Sequence, residues 1–225
     1  MNRKQLLIGL VAVAVIVLAV AAYLTFFGGG SESSALASAN ATRAGVTIAP
    51  DDMTLGSPKA PIVMLEYAAP TCPVCAHFEA ESFPVIKKEY IDTGKVYYIF
   101  RVFPLQSVDL AAEALLRCVP KEQYFQFLQT LFRNQDKWDP DGYNIPDVHG
   151  ALLQMARIAG MNVQQADKCM ADQNKLGRAS KVGADAQTRY NISGTPSFII
   201  NGELHVGPSD PPTWRKLLDS LLKKK

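Results

Sequence analysis

The residues Ile62 to Ala68, IVMLEYA, run almost directly into Thr71-Cys72-Pro73-Val74-Cys75, and no other junction in the chain limits its fold as much. Seven mostly apolar residues with β-branched members read as a buried strand. Thr71 or Cys72 stands where a helix cap belongs. Pro73 suits a first turn, where its missing N–H costs no hydrogen bond, and helical character continues to about Asp92. Gly94 breaks the chain, and Val96 to Phe103, VYYIFRVF, forms a second strand ended by Pro104. Strand, helix and strand make one βαβ unit.

The residues that follow read as helical. Tyr124, Phe125, Leu128, Leu131 and Phe132 mark a helix over 121–135 by their spacing. Asp147 caps another, with Ala151, Leu152, Met155 and Ile158 turned inward and Gly160 at its end. A third spans Asn174 to Tyr190 despite Gly177 and Gly183. Ser197 to Asn201 and Glu203 to Val206 form a hairpin around Asn201-Gly202, and Thr213 to Lys223 closes as a helix. A two-layer α/β domain with a helical insertion over about 105–185 accounts for this order.

The 225 residues suffice for one domain with a real core, and there is no internal repeat. Arg3 and Lys4 precede an uncharged run, Leu6 to Phe27. A bilayer core needs about 20 such residues and a signal-peptide core about 7–15, so residues 1–27 are expected to be a retained transmembrane anchor. The basic flank directs the rest of the chain out of the cytoplasm, to the periplasmic face. Small residues at Ala19-Val20-Ala21 keep signal cleavage, and a soluble periplasmic domain, as the alternative. Residues 28–45 are small and polar and read as a tether, with the folded body at 46–225. Beyond residue 27 there are 21 basic and 21 acidic side chains, a balance that gives no reason to expect nucleic acid as a partner.

Four cysteines, Cys72, Cys75, Cys118 and Cys169, fit an oxidising compartment and allow three pairings. The CxxC spacing serves several chemistries. Haem attachment needs His after the second Cys, where Ala76 stands. Structural zinc needs a second close ligand pair, and only His77 is near, so no metal is expected. Thiol–disulfide exchange fits better: a helix N-terminus favours thiolate on Cys72, and Cys75 lies one turn on, within disulfide reach.

VMLEYAAPTCPVCAHFE together with ISGTPSFIING resembles the thioredoxin superfamily in its DsbA-like branch, over most of 46–225. The resemblance implies a thioredoxin-like fold with a helical insertion, a cis Thr195-Pro196 bond beside the CxxC, and Thr195 backbone groups that pair with substrate. It implies that Glu66, six residues before Cys72, is a buried acid that moves the Cys75 proton, the alternative being a solvated Glu. It implies a structural disulfide between Cys118 and Cys169, the alternative being two free thiols. Strongly oxidising members carry His before the second Cys; Val74 stands there and brings no charge.

The activity expected is disulfide formation in exported proteins with cysteine thiols, without cofactor, through a Cys72 mixed disulfide. A DsbB-like membrane protein would be the reoxidant. A reductase or isomerase of the same fold is the alternative within the chemistry. A metal carrier or peptide-binding module is the alternative outside it.

Overall fold

The computed structural model describes residues 41–207 and 210–223. Among them no helix is long and apolar enough to cross a membrane, and the expected anchor, 1–27, lies outside them with most of the tether. The chain enters through a hairpin of β1 (Ala41–Arg43) and β2 (Val46–Ile48). Arg43 donates to the carbonyls of Pro58 and Ala60. Gly45, at φ 75°, packs so closely on Gly202 that a Cβ would come within 2.8 Å of its Cα. Residues 41–45, expected in the tether, thus take part in the fold.

The main sheet has five strands in the order β3-β5-β4-β6-β7. They are β3 (Met53–Leu55), β4 (Ile62–Ala68), β5 (Val96–Val102), β6 (Ser197–Ile200) and β7 (Glu203–Val206). β4 and β5 are parallel, from Ile62 beside Val96 to Ala68 beside Val102, as the βαβ unit requires. β3 and β6 lie antiparallel on either side of that pair. β3 has no counterpart in the sequence pattern, since three residues show no periodicity.

All seven residues of β4 are buried because both faces are covered. Met64 and Ala68, with Tyr98, Phe100 and Phe198, face one core; Val63, Leu65 and Tyr67, with Ile99 and Ile199, face the other. The period of two puts Glu66 on the first face. That face is covered by α1 (Pro73–Glu81) and by α9 (Pro211–Lys223), where Phe78, Phe198 and Trp214 meet in tilted and edge-on pairs with centroids 4.7–5.5 Å apart.

The single helix expected from Thr71 to Asp92 is interrupted. It stops at Ser82, restarts as α2 (Phe83–Ile86), and widens into a π turn over Lys87–Ile91. Pro84 supplies the reason for the break: it has no N–H for the Ala80 carbonyl. Between β5 and β6 lie α3 (Ser107–Leu116), α4 (Tyr124–Arg133), α5 (Gln135–Trp138), α6 (Val148–Ile158), α7 (Val163–Met170) and α8 (Gln173–Tyr190). The helical insertion therefore extends to Tyr190. Asp147 caps α6, accepting from Gly150 N–H, and Ala151, Leu152 and Met155 are buried. Ile158 is 63% exposed, contrary to expectation, because it ends α6 on an open cleft beside Gln126 and Phe127.

Candidate active site

Cys72 is the N-cap of α1 and Pro73 its first residue. Extended backbone at Cys72, φ −73° and ψ 116°, turns its Sγ back over the helix start, where it accepts from Cys75 N–H at 3.2 Å. Its thiol donates to the Thr195 carbonyl at 3.5 Å. Both cysteines are free thiols, so this is the dithiol form. The proton shared with Cys75 is the main reason that the Cys72 thiol is pulled down to about 6; the Thr195 hydroxyl and the N–H groups of Cys75 and Val74 add to it. No charged side chain is needed. Val74 lacks the charge of a His, but its backbone N–H still favours the thiolate. Cys75 is fully buried, and that burial pushes its thiol far up.

Cys72 is only 4% exposed, while Val74 beside it is 55% exposed. The cause is the Thr195-Pro196 loop across its sulfur. That peptide bond is cis. β6 starts at Ser197, opposite Tyr67 near the end of β4, and this register brings the loop to the place where the CxxC helix begins. The Thr195 hydroxyl oxygen is buried without a hydrogen-bond partner in ordinary geometry.

Glu66 is fully buried. Tyr98 donates its hydroxyl to Oε2 at 2.7 Å and Oε1 has no partner. Burial raises the carboxyl well above its ordinary range, and the charges of Glu79 and Cys72 push the same way. Glu79 was not singled out in the sequence. It is one turn beyond Cys75 on α1, 5% exposed, with neither oxygen hydrogen-bonded in ordinary geometry. Burial raises it to about 8 against the opposing pull of Arg133 and Gln129. The i, i+4 spacing from Cys75 was the available signal. Two carboxyls that favour the neutral state thus lie on the CxxC side of the sheet, Glu66 acting on the buried thiol and Glu79 on Glu66.

Cys118 and Cys169 form a disulfide, S–S 2.00 Å, that ties the turn after α3 to α7 inside the helical insertion. Among the described residues no three His, Cys, Asp or Glu side chains gather as a metal site would require.

The class that fold and site define is a thioredoxin-fold dithiol protein with a helical insertion. A family model described as "Thioredoxin" matches residues 48–220. The crystal structure of Wolbachia pipientis alpha-DsbA1 superposes with a TM-score of 0.71 at 34% identity, over 78% of this chain and 92% of that one. The protein-disulfide isomerase from Novosphingobium aromaticivorans follows at 0.66 and 27%, over 76% and 97%. A Rickettsia bellii protein named "Putative protein-disulfide oxidoreductase" is 34% identical over 68% of this chain and 58% of its own length. The chain thus spans little more than half the length of the Rickettsia relatives that it matches. It belongs to the thioredoxin family, in the DsbA-like branch.

Proposed function

We propose that the chain is a dithiol–disulfide oxidoreductase that forms disulfides in exported proteins. One observation carries this: Cys72 Sγ sits at the N-terminus of α1, accepting from Cys75 N–H at 3.2 Å beside the cis Thr195-Pro196 bond, with the Cys75 thiol sealed behind it. A thiolate stabilised on Cys72 favours the reduced protein over its disulfide, so electrons pass from client to Cys72–Cys75.

The steps follow from the disulfide form. A client thiolate attacks Cys72 Sγ. The client–Cys72 bond forms, the Cys72–Cys75 bond breaks, and Cys75 leaves with the electron pair. Glu66, kept neutral by burial, supplies the proton that the sealed Cys75 sulfur needs. A second client thiolate then attacks the client sulfur and Cys72 leaves as thiolate. The client has gained a disulfide, and the protein holds two electrons as a dithiol. Its reoxidant is a quinone-linked membrane protein of the DsbB kind, by family likeness. Thr195 backbone groups align an extended client segment beside Cys72, Pro196 keeps that loop open to it, and Cys118–Cys169 braces the helical insertion. The domain works outside the cytoplasm, anchored through 1–27; the basic flank and the cysteine content support this placement.

Two measurements test the reading. A redox potential near about −120 mV fits an oxidase, and one near about −270 mV would make the protein a reductase. A Cys75→Ser variant should hold clients as mixed disulfides in cells. If none is trapped, Cys72 is not an exchange site.

A further inference from the structure

Pro70, Thr71 and Cys72 join β4 to α1, and each is hydrogen-bonded to a residue of the helical insertion. The Gln135 side-chain amide, on α5, donates to the Pro70 carbonyl at 2.7 Å and to the Cys72 carbonyl at 3.1 Å. Asp109, in the first turn of α3, accepts from Thr71 N–H at 2.9 Å and from the Thr71 hydroxyl at 3.1 Å. It also takes the N–H groups of Leu105 and Gln106, at 2.9 and 3.0 Å. Gln135 and Asp109 are buried.

The bond to the Cys72 carbonyl is the informative one. As an N-cap, Cys72 already offers that oxygen to Ala76 N–H at 3.0 Å, so helix formation does not need Gln135. The amide is a second donor on the same oxygen. It fixes the peptide plane that sets Cys72 ψ, and ψ decides whether Sγ meets Cys75 N–H and Thr195. It also draws off the negative end of a carbonyl dipole that belongs to the residue carrying the thiolate. The short helix that carries the amide is itself held: Trp138, fully buried, donates Nε1–H to the Leu131 carbonyl at 2.9 Å, and Asp139 N–H closes α5 on the Gln135 backbone carbonyl at 2.9 Å.

We propose that Gln135 is a positioning residue for Cys72, through which the helical insertion holds the nucleophilic sulfur facing Cys75 and Thr195. This rests on the reading of Cys72 as the exchanging sulfur.

The test uses the full chain with Cys75→Ser, so that one step is seen with glutathione disulfide as probe. The Cys72 thiolate attacks one glutathione sulfur, the glutathione S–S bond breaks, and one glutathione thiolate leaves. Gln135→Met keeps the shape and loses the donor; Gln135→Glu puts an acceptor in its place. In both variants the thiolate absorbance of Cys72 should titrate at higher pH, and the rate at pH 6 should fall about five-fold, the effect of one ordinary hydrogen bond. A folded variant with the parent's titration and rate would overturn the proposal, leaving Gln135 a structural residue only. In the unsubstituted chain, the side-chain amide signal of Gln135 in a nitrogen–proton spectrum should move with the Cys72 titration. An amide signal that stays fixed overturns the proposal even if neither variant folds. A parent whose Cys72 never reacts overturns the exchange reading as well, an outcome distinct from a reactive parent matched by its variants.

Discussion

The Tyr98 hydroxyl donates to Glu66 Oε2 at 2.7 Å and leaves Oε1 facing no donor, directly under the helix that carries Cys75. A buried acid with one oxygen fixed and one free can pass a proton without moving far. Glu66→Gln keeps the shape and removes the proton. Exchange with a dithiol peptide should slow about 10²-fold, at the low end of what general acid–base groups contribute, with melting temperature unchanged or higher. An unchanged rate would remove Glu66 from the mechanism. Tyr98→Phe should cost about 1–3 kcal/mol in denaturant unfolding, because it strands the second carboxyl oxygen.

Reactivity of the dithiol form should follow the Cys72 thiolate. Its thiol lies at about 6, so the rate of alkylation by iodoacetamide should rise with pH, reach half its maximum near pH 6, and level off above. A midpoint near the ordinary thiol value would mean that the Cys75 thiol, the Thr195 loop and the N–H groups at the α1 terminus do not hold the thiolate.

Glu79 should make stability fall with pH. Its carboxyl is raised from 4.5 to about 8 in the fold. The contribution of the neutral form is therefore complete below about pH 4.5 and lost as pH rises through about 8. Glu79→Gln removes that loss. Unfolding free energies should be close to the parent's at pH 4 and exceed them by roughly 2–4 kcal/mol at pH 8. A constant difference across this range would show that Glu79 is not held neutral.

The Cys118–Cys169 bond closes a separation of 51 residues. Replacing both by Ala should lower stability by about 4 kcal/mol on the chain-entropy estimate. If the bond is only a brace, the potential of Cys72–Cys75 should stay where it is in that variant. A shift in the potential would give the second disulfide a part in the redox chemistry.

The elements legible in the sequence were those whose own residues carry the signal. β4 and β7 fall on the expected bounds because an apolar β-branched run and an Asn-Gly turn act locally. Pro73 beside Cys72 marked the helix start for the same reason. The single helix expected to about Asp92 breaks at Ser82, because Pro84 withholds one N–H from the helical ladder. β3 is held by pairing with β5, and a three-residue strand has no pattern of its own. Ile158 has the spacing of an inward residue, but burial depends on where the neighbouring helix lies.

The sequence by itself determined the redox pair, the strand–helix setting that favours thiolate on Cys72, and membership of a family with Thr195-Pro196 nearby. These depend on local backbone preferences and on short motifs. Tertiary structure decided the surroundings: Tyr98 on Glu66, the burial of Glu79, and Gln135 on the Cys72 carbonyl, 63 residues away in the chain. Burial and long-range hydrogen bonds set the protonation of these groups, and neither exists until the sheet and the helical insertion have packed together.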